Sequence, residues 1–88
     1  MSGSVIVRMW EVKAEPGRLT QLISYVCDRA LPVIEVNPLH IGSEVYSSTD
    51  DRLVVISKWR SNPVELPAPP ATLVVRAPHS WDFTQVDR

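Results

Sequence analysis

Hydrophobic and polar residues alternate along the first part of the chain in a pattern typical of a β-strand. Residues 4–14, SVIVRMWEVKA, are rich in β-branched and aromatic side chains and end at a Glu-Pro-Gly turn. We therefore predict a first strand followed by a turn. Its two faces carry Val5, Val7 and Met9 on one side and Ile6, Arg8 and Trp10 on the other.

Apolar residues then recur with the spacing of one helix face, at Leu19, Leu22, Ile23, Val26, Cys27, Ala30, Val33 and Ile34. This spacing predicts a helix over residues 17–35. Pro16 suits its start, because the first helical turn needs no N–H at that position. Pro32 should kink the helix or loosen its last turn. Because Cys27 lies on the apolar face, we expect a buried thiol with a structural role.

Two further stretches predict an antiparallel hairpin. HIGSEVYSS at 40–48 and RLVVISKWRS at 52–61 read as strands joined by a polar loop. Five of the eight prolines fall in residues 63–78, so a long regular helix cannot form there. Within this stretch, residues 70–77 favour either a single short helix or an extended piece, and both stay open. SWDFTQVD at 80–87 alternates again and predicts a final strand.

The order strand, helix, strand, strand, shortened or broken helix, strand predicts an α+β domain of the ferredoxin-like βαββ(α)β type, with one antiparallel sheet and a single domain over 1–88. The third strand is apolar on both faces, yet one helix and a proline-rich stretch can cover only one face of the sheet. The other face needs a partner. We therefore expect a homodimer with its sheets packed face to face, since a two-fold axis lets one patch cover itself.

Composition narrows the function classes. The chain has 88 residues, of which 44% are hydrophobic, and one cysteine, so it has no internal disulfide to support its small core. A net charge of −1 without any run of lysine or arginine argues against nucleic acid as a partner. No glycine-rich phosphate loop and no metal-ligand spacing are visible, so we expect no cofactor and no metal.

The sequence also predicts no targeting signal and no membrane span. The opening MSGSVIVRMW lacks a charged segment followed by an apolar one, and the longest charge-free apolar run, LPAPPATLVV, is too short and too rich in proline to span a bilayer. These features predict a cytoplasmic protein without a membrane partner.

Three segments carry a likeness to a known family: VKAEPGRLTQLISYV for the turn into the first helix, LPVIEVNPLHIGSEVYSS for the helix end and second strand, and LVVISKWRSNP for the third strand. Over residues 5–63 the chain resembles the antibiotic biosynthesis monooxygenase superfamily. The resemblance implies a dimeric α+β barrel and cofactor-independent oxygenation of an aromatic or polyketide-like substrate. Family members usually have a full second helix, often with a histidine, where this chain has the shortened VELPAPPATLVVRAP.

The haem-degrading branch of that family resembles this chain at Trp59, the position of its ruffling tryptophan. However, no asparagine lies on the first predicted strand and no histidine on a second helix, which argues against haem degradation.

Cofactor-free oxygenation asks for a desolvated pocket, aromatic walls and a group that moves a proton. We expect Trp59 and Trp10 to stack on the substrate rings, with Val55 and Trp81 completing the binding surface. His40 or His79 would move the proton, and Arg8 or Tyr46 would orient and stabilise a phenolate. The structural interpretations are Trp59 as a core residue, Tyr46 as an interface residue, His40 as an exposed or capping residue at a strand entrance, and His79 as a loop residue near a dimer seam. Arg8 lies either on an exposed edge or inside, held by a partner, and the inside position suits the anion-orienting role.

A second function fits the same fold. The chain would then be a non-redox polyketide cyclase or isomerase, or a ligand-binding or assembly domain. The shortened second helix motivates this alternative, because that element normally helps to close the pocket. A cleft open to solvent would favour the binding domain.

Overall fold

The computed structural model describes residues 4–88 and arranges them as a four-stranded antiparallel sheet with one helix on one face. The strands, in spatial order β2–β3–β1–β4, are β1 (Ile6–Lys13), β2 (His40–Ser47), β3 (Arg52–Trp59) and β4 (His79–Thr84). This confirms the predicted α+β class, and the strand order is compatible with a ferredoxin-like fold. The first three residues of the predicted domain lie outside the described part of the chain.

The predicted hairpin is formed by β2 and β3. The backbone N–H of Ser48 donates to the carbonyl of Arg52 at 2.9 Å and closes the loop between them. Asp51 takes a φ of 67° in this loop, a left-handed conformation that aspartate tolerates better than most residues. β4 pairs with the other side of β1 and ends at Thr84, so the last residues of the predicted final strand lie beyond it.

The helix is continuous over three segments, α1 (Leu19–Tyr25), a π-helical turn (Val26–Ala30) and α2 (Leu31–Glu35). It starts at Leu19, after a turn in which Gly17 has a φ of 79°. The helix predicted over 17–35 is therefore confirmed apart from its first two residues. In the π-helical turn the N–H of Leu31 donates to the carbonyl of Val26, five residues back. The loosening predicted for the last turn is not found there, because Leu31–Glu35 is regular α-helix, and the wider turn ends at Ala30, two residues before Pro32.

The prediction of a buried Cys27 is wrong, because its side chain is exposed. The helix residues that do reach the core are Leu22, Val26, Ala30, Leu31 and Ile34. Leu22, Val26, Ala30 and Ile34 follow a spacing of four, and in a regular α-helix such a stripe would drift gradually around the helix axis. The π-helical turn holds more residues per turn and keeps this stripe on the sheet. Cys27 faces outward in this turn, and Val33 is also exposed.

The core lies between this helix and one face of the sheet, called here the covered face. The strands contribute Trp10, Val12, Leu53, Val55 and Trp59, and the helix contributes the residues named above. Each large apolar side chain that is fully buried stabilises the fold by about 1.5–3 kcal/mol relative to its exposed state. This packing explains why the helix stays on the covered face.

Residues 60–78 return over the helix side of the same chain. Leu66 is buried in the core, and the Tyr25 hydroxyl donates to the carbonyl of Ala68 at 3.0 Å. One 3₁₀ turn, Ala71–Leu73, is the only helical piece here, and Val74 then forms a bridge to Ala14 beside the end of β1. The segment is therefore a short turn followed by an extended piece, which combines the two alternatives left open for it.

The opposite face of the sheet is covered by no element of residues 4–88 and is called here the open face. Its apolar side chains are Val7, Met9, Val54, Ile56, Trp81 and Phe83, as the strand register requires. This confirms that the chain itself covers one face only. In the single chain Val54 and Ile56 are only partly buried, so β3 is not yet buried on both sides.

Candidate functional site

A row of side chains crosses all four strands on the open face. Tyr46 is paired with Val54, Val54 with Glu11, and Glu11 with His79. Two residues predicted to take part in catalysis, Tyr46 and His79, are thus the two ends of one row. Neighbouring strands lie about 4.8 Å apart, so the Cα atoms of these two residues are separated by about 14 Å. They face the same space but do not form one compact pair.

A concavity of about 500 Å³ lies at the β4 end of this row. Its apolar and aromatic lining comes from Met9, Val54, Trp81 and His79, and its charged lining from Glu11, Arg52 and Arg76. The volume is within the range of small-molecule sites. A smaller hollow of about 220 Å³ beside Gly42, Glu44 and Lys58 has no aromatic lining, so we take the larger concavity as the candidate site.

Glu11 is the charged group at the centre of this concavity, and only 8% of its surface is exposed. Its two carboxylate oxygens accept hydrogen bonds from Nη2 of Arg76 at 2.8 and 3.0 Å. A buried carboxylate requires such a partner, because an unpaired charge on an apolar surface is costly. Arg76 therefore pairs with Glu11 on the sheet and ties the extended end of residues 60–78 to β1.

Arg52 is engaged differently. Its Nε lies 3.2 Å from Asp50 and 3.8 Å from Glu11, yet its guanidinium donates no hydrogen bond to any residue of the described chain. About half of its side chain is exposed. Arg52 is thus the cation of the concavity that retains unused N–H donors.

His79 and Trp81 form the aromatic side of the concavity. Their ring centroids are 6.0 Å apart and their planes differ by 29°, which is a stacked arrangement. Both residues point from β4 to the open face, and Trp81 remains 45% exposed. An aromatic wall with an imidazole beside it offers a flat molecule a stacking surface and a group that can accept or donate a proton.

Tyr46, at the far end of the row, is half exposed on the edge strand β2. The Glu44 carboxylate, as a hydrogen-bond acceptor and then as a nearby negative charge, raises the pKa of the Tyr46 phenol. The phenol therefore stays protonated at neutral pH and can act as a donor but not as a base.

His40 lies on the other side of the sheet from His79. Its Nε2 is 2.7 Å from the Ser43 hydroxyl, and its ring meets the Trp59 indole edge-on at a centroid distance of 5.2 Å. The structure thus places the two histidines on opposite faces, where they cannot act on one substrate together.

Three residues predicted to bind substrate lie in the core. Trp59 has no exposed surface, Val55 has 1% and Trp10 has 2%. The indole N–H of Trp59 donates to the Ser57 hydroxyl at 2.8 Å, so its polar atom is satisfied inside the core. The side chains of Trp59 and Trp10 fill the space between helix and sheet, and their stacking on a substrate stays a prediction that requires this space to open.

Arg8 projects to the covered face and is held by an ion partner. Its Nε and Nη2 donate to the two carboxylate oxygens of Asp82 at 2.7 and 2.9 Å, and Glu65 lies 3.6 Å away. Arg8 is thus held by carboxylate partners of its own chain. Its charge is balanced within the chain, on the side of the sheet that the concavity does not use.

Sequence reasoning missed Glu11, Arg52 and Arg76. Alternation would have found the first two, since Glu11 extends the face of Val7 and Met9, and Arg52 precedes Val54 by two positions. No pattern would have found Arg76, because it follows an irregular segment and meets Glu11 from 65 residues away.

Comparisons with models of protein families, with curated proteins and with solved structures found no significant match for this chain. Within residues 4–88 no group of three or more histidine, cysteine, aspartate or glutamate side chains is placed to hold a metal ion. No helix in the same range is long and apolar enough to cross a membrane.

Proposed function

We propose that this protein is a ligand-binding domain similar to the antibiotic biosynthesis monooxygenases, and that it binds a flat aromatic molecule in the concavity of its open face. The observation that supports this proposal is the distribution of its tryptophans. Trp10 and Trp59 are buried, whereas Trp81 is the one accessible tryptophan and stacks on His79 beside the concavity. No second helix covers this cleft within the chain, so the closure that water-excluding chemistry requires would have to come from a partner chain.

Binding of 2-naphthol to the ¹⁵N-labelled protein tests this function. The indole N–H signal of Trp81 should shift on titration, while those of Trp10 and Trp59 should stay in place. Trp81→Ala should weaken binding about tenfold, because a stacked aromatic pair contributes roughly 0.5–1.5 kcal/mol beyond its buried area. Val36→Ala, at an exposed position after the helix, is the matched control. If the protein is folded and the NMR signals of its open-face residues do not shift on addition of 2-naphthol, the proposal is refuted.

The second candidate is a cofactor-independent monooxygenase acting at the same concavity, and the stacking of His79 on Trp81 is what favours it. His79 would remove a proton from the reactive carbon of an anthrone, and the resulting carbanion would reduce O₂ and form a C–O bond with it. Loss of water from the hydroperoxide then gives the quinone, so that anthrone and O₂ yield anthraquinone and one water. The substrate supplies all four electrons, and no cofactor is needed.

Oxygen consumption with an anthrone separates the candidates. The monooxygenase should consume oxygen faster than the uncatalysed reaction, and His79→Gln should remove this excess. A cyclase or isomerase would change its substrate under nitrogen as well, and a binding domain would change nothing. Binding without turnover across a panel of anthrones and dihydroquinones would eliminate the monooxygenase.

The open face also supports a homodimer as the working form. Trp81, Phe83 and Tyr46 are each about half exposed beside the partly buried Val54 and Ile56, which makes one continuous apolar surface. Monomeric proteins rarely expose such a surface without a partner. Pairing of two open faces about a two-fold axis would cover it and would enclose the concavity between the sheets.

A further inference from the structure

We propose that the ligand of the concavity is a planar aromatic carboxylate whose charge is received by Arg52. This inference rests on the proposed binding function and adds the chemical class of the ligand. It follows from a difference between the arginines of the sheet. Arg8 and Arg76 each give two short hydrogen bonds to one carboxylate of the chain, but Arg52 gives none to a residue within 4–88.

The contacts of Arg52 leave its donors available. Both of its ion pairs, to Asp50 at 3.2 Å and to Glu11 at 3.8 Å, are made through Nε. The planar guanidinium carries five N–H donors, and its outer edge matches the two oxygens of a carboxylate. Side-on pairing through Nε therefore positions the side chain and leaves the outer edge for a ligand.

The remaining charge of the concavity is positive, as a carboxylate ligand requires. Two guanidinium groups, Arg52 and Arg76, line it together with one carboxylate, Glu11. Arg76 and Glu11 neutralise each other through their two hydrogen bonds, so the remaining lining charge is that of Arg52. Asp50 offsets part of this charge from the loop, outside the lining.

The position of the aromatic side sets the size of the ligand. Arg52 lies on β3 and His79 on β4, two strands apart and two residues along the sheet, so their Cα atoms are about 12 Å apart. The arginine side chain spans part of that distance. The remainder fits one or two fused rings lying over Met9 and Val54 and against Trp81. The ligand is thus expected to be flat, with its carboxylate at one end.

Titrations with 2-naphthoate, 2-naphthamide and cyclohexanecarboxylate test the two parts of the inference separately. The first two differ in charge at nearly equal shape, and the third keeps the charge without the aromatic ring. Followed by the Trp81 indole signal at pH 8, naphthoate should bind at least tenfold more tightly than either of the others. Raising the salt concentration should weaken the binding of naphthoate and leave the binding of naphthamide unchanged.

Variants assign the charge to Arg52. Arg52→Gln should lower naphthoate affinity about tenfold, to that of naphthamide, without changing naphthamide binding, while Arg60→Gln just beyond β3 is the matched control. Asp50→Asn should tighten naphthoate binding, since it removes a competing carboxylate and keeps the loop's hydrogen-bonding groups. Equal affinities for naphthoate and naphthamide would overturn the inference and leave the proposed function standing. If 2-naphthol and these probes all failed to bind, both this inference and the proposed binding function would be refuted.

Discussion

The Ser57 hydroxyl accepts a hydrogen bond from the indole N–H of Trp59 at 2.8 Å, two residues along β3, and both side chains are buried on the covered face. Residues two apart in a strand point to the same side, which brings the hydroxyl to the indole. The largest side chain of the core is therefore satisfied within its own strand. This pair supports the interpretation of Trp59 as a packing residue.

We expect Ser57→Ala to lower the free energy of unfolding by about 1–3 kcal/mol, because the buried indole N–H would lose its acceptor. In a Trp59→Phe background the same change should cost much less, since phenylalanine has no N–H to satisfy. Urea unfolding of the four proteins in this cycle measures the coupling, with Ser80→Ala on the exposed β4 as control. An equal cost of Ser57→Ala in both backgrounds would show that the hydrogen bond is not what matters.

The pairing of Arg8 with Asp82 predicts acid-sensitive docking of β4. Hydrogen bonds from Arg8, and then its charge, hold the pKa of Asp82 below its usual range. A carboxyl with a depressed pKa in the folded state stabilises fully above its unfolded pKa of about 3.9, and this stabilisation is lost as the pH falls further. Asp82→Asn should cost about 0.5–1 kcal/mol at pH 7 and progressively less as the pH falls below about 3.9.

Hydrogen exchange of the β4 amides at neutral pH reports on this docking, and urea unfolding gives its pH dependence. Asp87→Asn, beyond the end of β4, is the matched control. A cost for Asp82→Asn that stays constant from pH 7 to pH 2.5 would mean that the ion pair does not stabilise the strand.

The open face predicts a dimer that a single charge disrupts. Ile56→Asp would place a carboxylate in the apolar centre of the pairing surface, where desolvation is costly. We expect the dissociation constant of the dimer to rise at least about 100-fold in this variant, which corresponds to a loss of ~2.7 kcal/mol of dimerisation free energy. Val33→Asp makes the same change at an exposed site on the helix and should leave the dimer intact. Sedimentation equilibrium measures both, and a monomeric wild-type protein at millimolar concentration would refute the pairing.

Cys27, within the π-helical turn, is predicted to carry an accessible thiol. Because the side chain is exposed, a thiol reagent should modify the native protein at a rate close to that of the urea-unfolded chain. A Cys27 thiol packed against the sheet would react orders of magnitude more slowly, because it would react only when the helix opens. Strong protection of the thiol in the native protein would contradict its exposed position.

The turn before the helix depends on Gly17, whose φ of 79° is unfavourable for residues with a Cβ. Gly17→Ala should therefore cost about 1–2 kcal/mol of stability, although no atom lies within 4 Å of the added methyl group. Gly42→Ala meets equally open space without the positive φ and should be nearly neutral. Thermal unfolding of the two variants separates backbone strain from crowding, and equal losses would argue against the strain.

Local patterns were enough to predict most of the fold. The alternation in residues 4–14, the helical spacing from Leu19 and the apolar run after Arg52 each depend on neighbours within a few positions. The same patterns misplaced Cys27, because it lies one position after Val26 at the edge of the apolar helix face, where periodicity does not decide between burial and exposure. They also left residues 70–77 undecided, since proline excludes a regular helix without specifying what replaces it.

The candidate site was less accessible to sequence reasoning. The side chains of Arg8, Trp10 and Trp59 suit a pocket chemically. In the folded chain, however, Arg8 is ion-paired with Asp82, and Trp10 and Trp59 are buried between helix and sheet. The chemistry of His79 and Trp81 suits a pocket, but only the pairing of β4 with β1 places them beside Glu11.

The sequence by itself determined which residues share a strand face and that a single helix leaves one face of the sheet bare, because both follow from local periodicity. Only the tertiary structure decided which polar groups meet on that bare face. Arg76 reaches Glu11 across 65 positions and Arg52 is left with free donors, through contacts between strands and an irregular segment. Such contacts depend on how the chain closes in space, and no local repeat of residues encodes them.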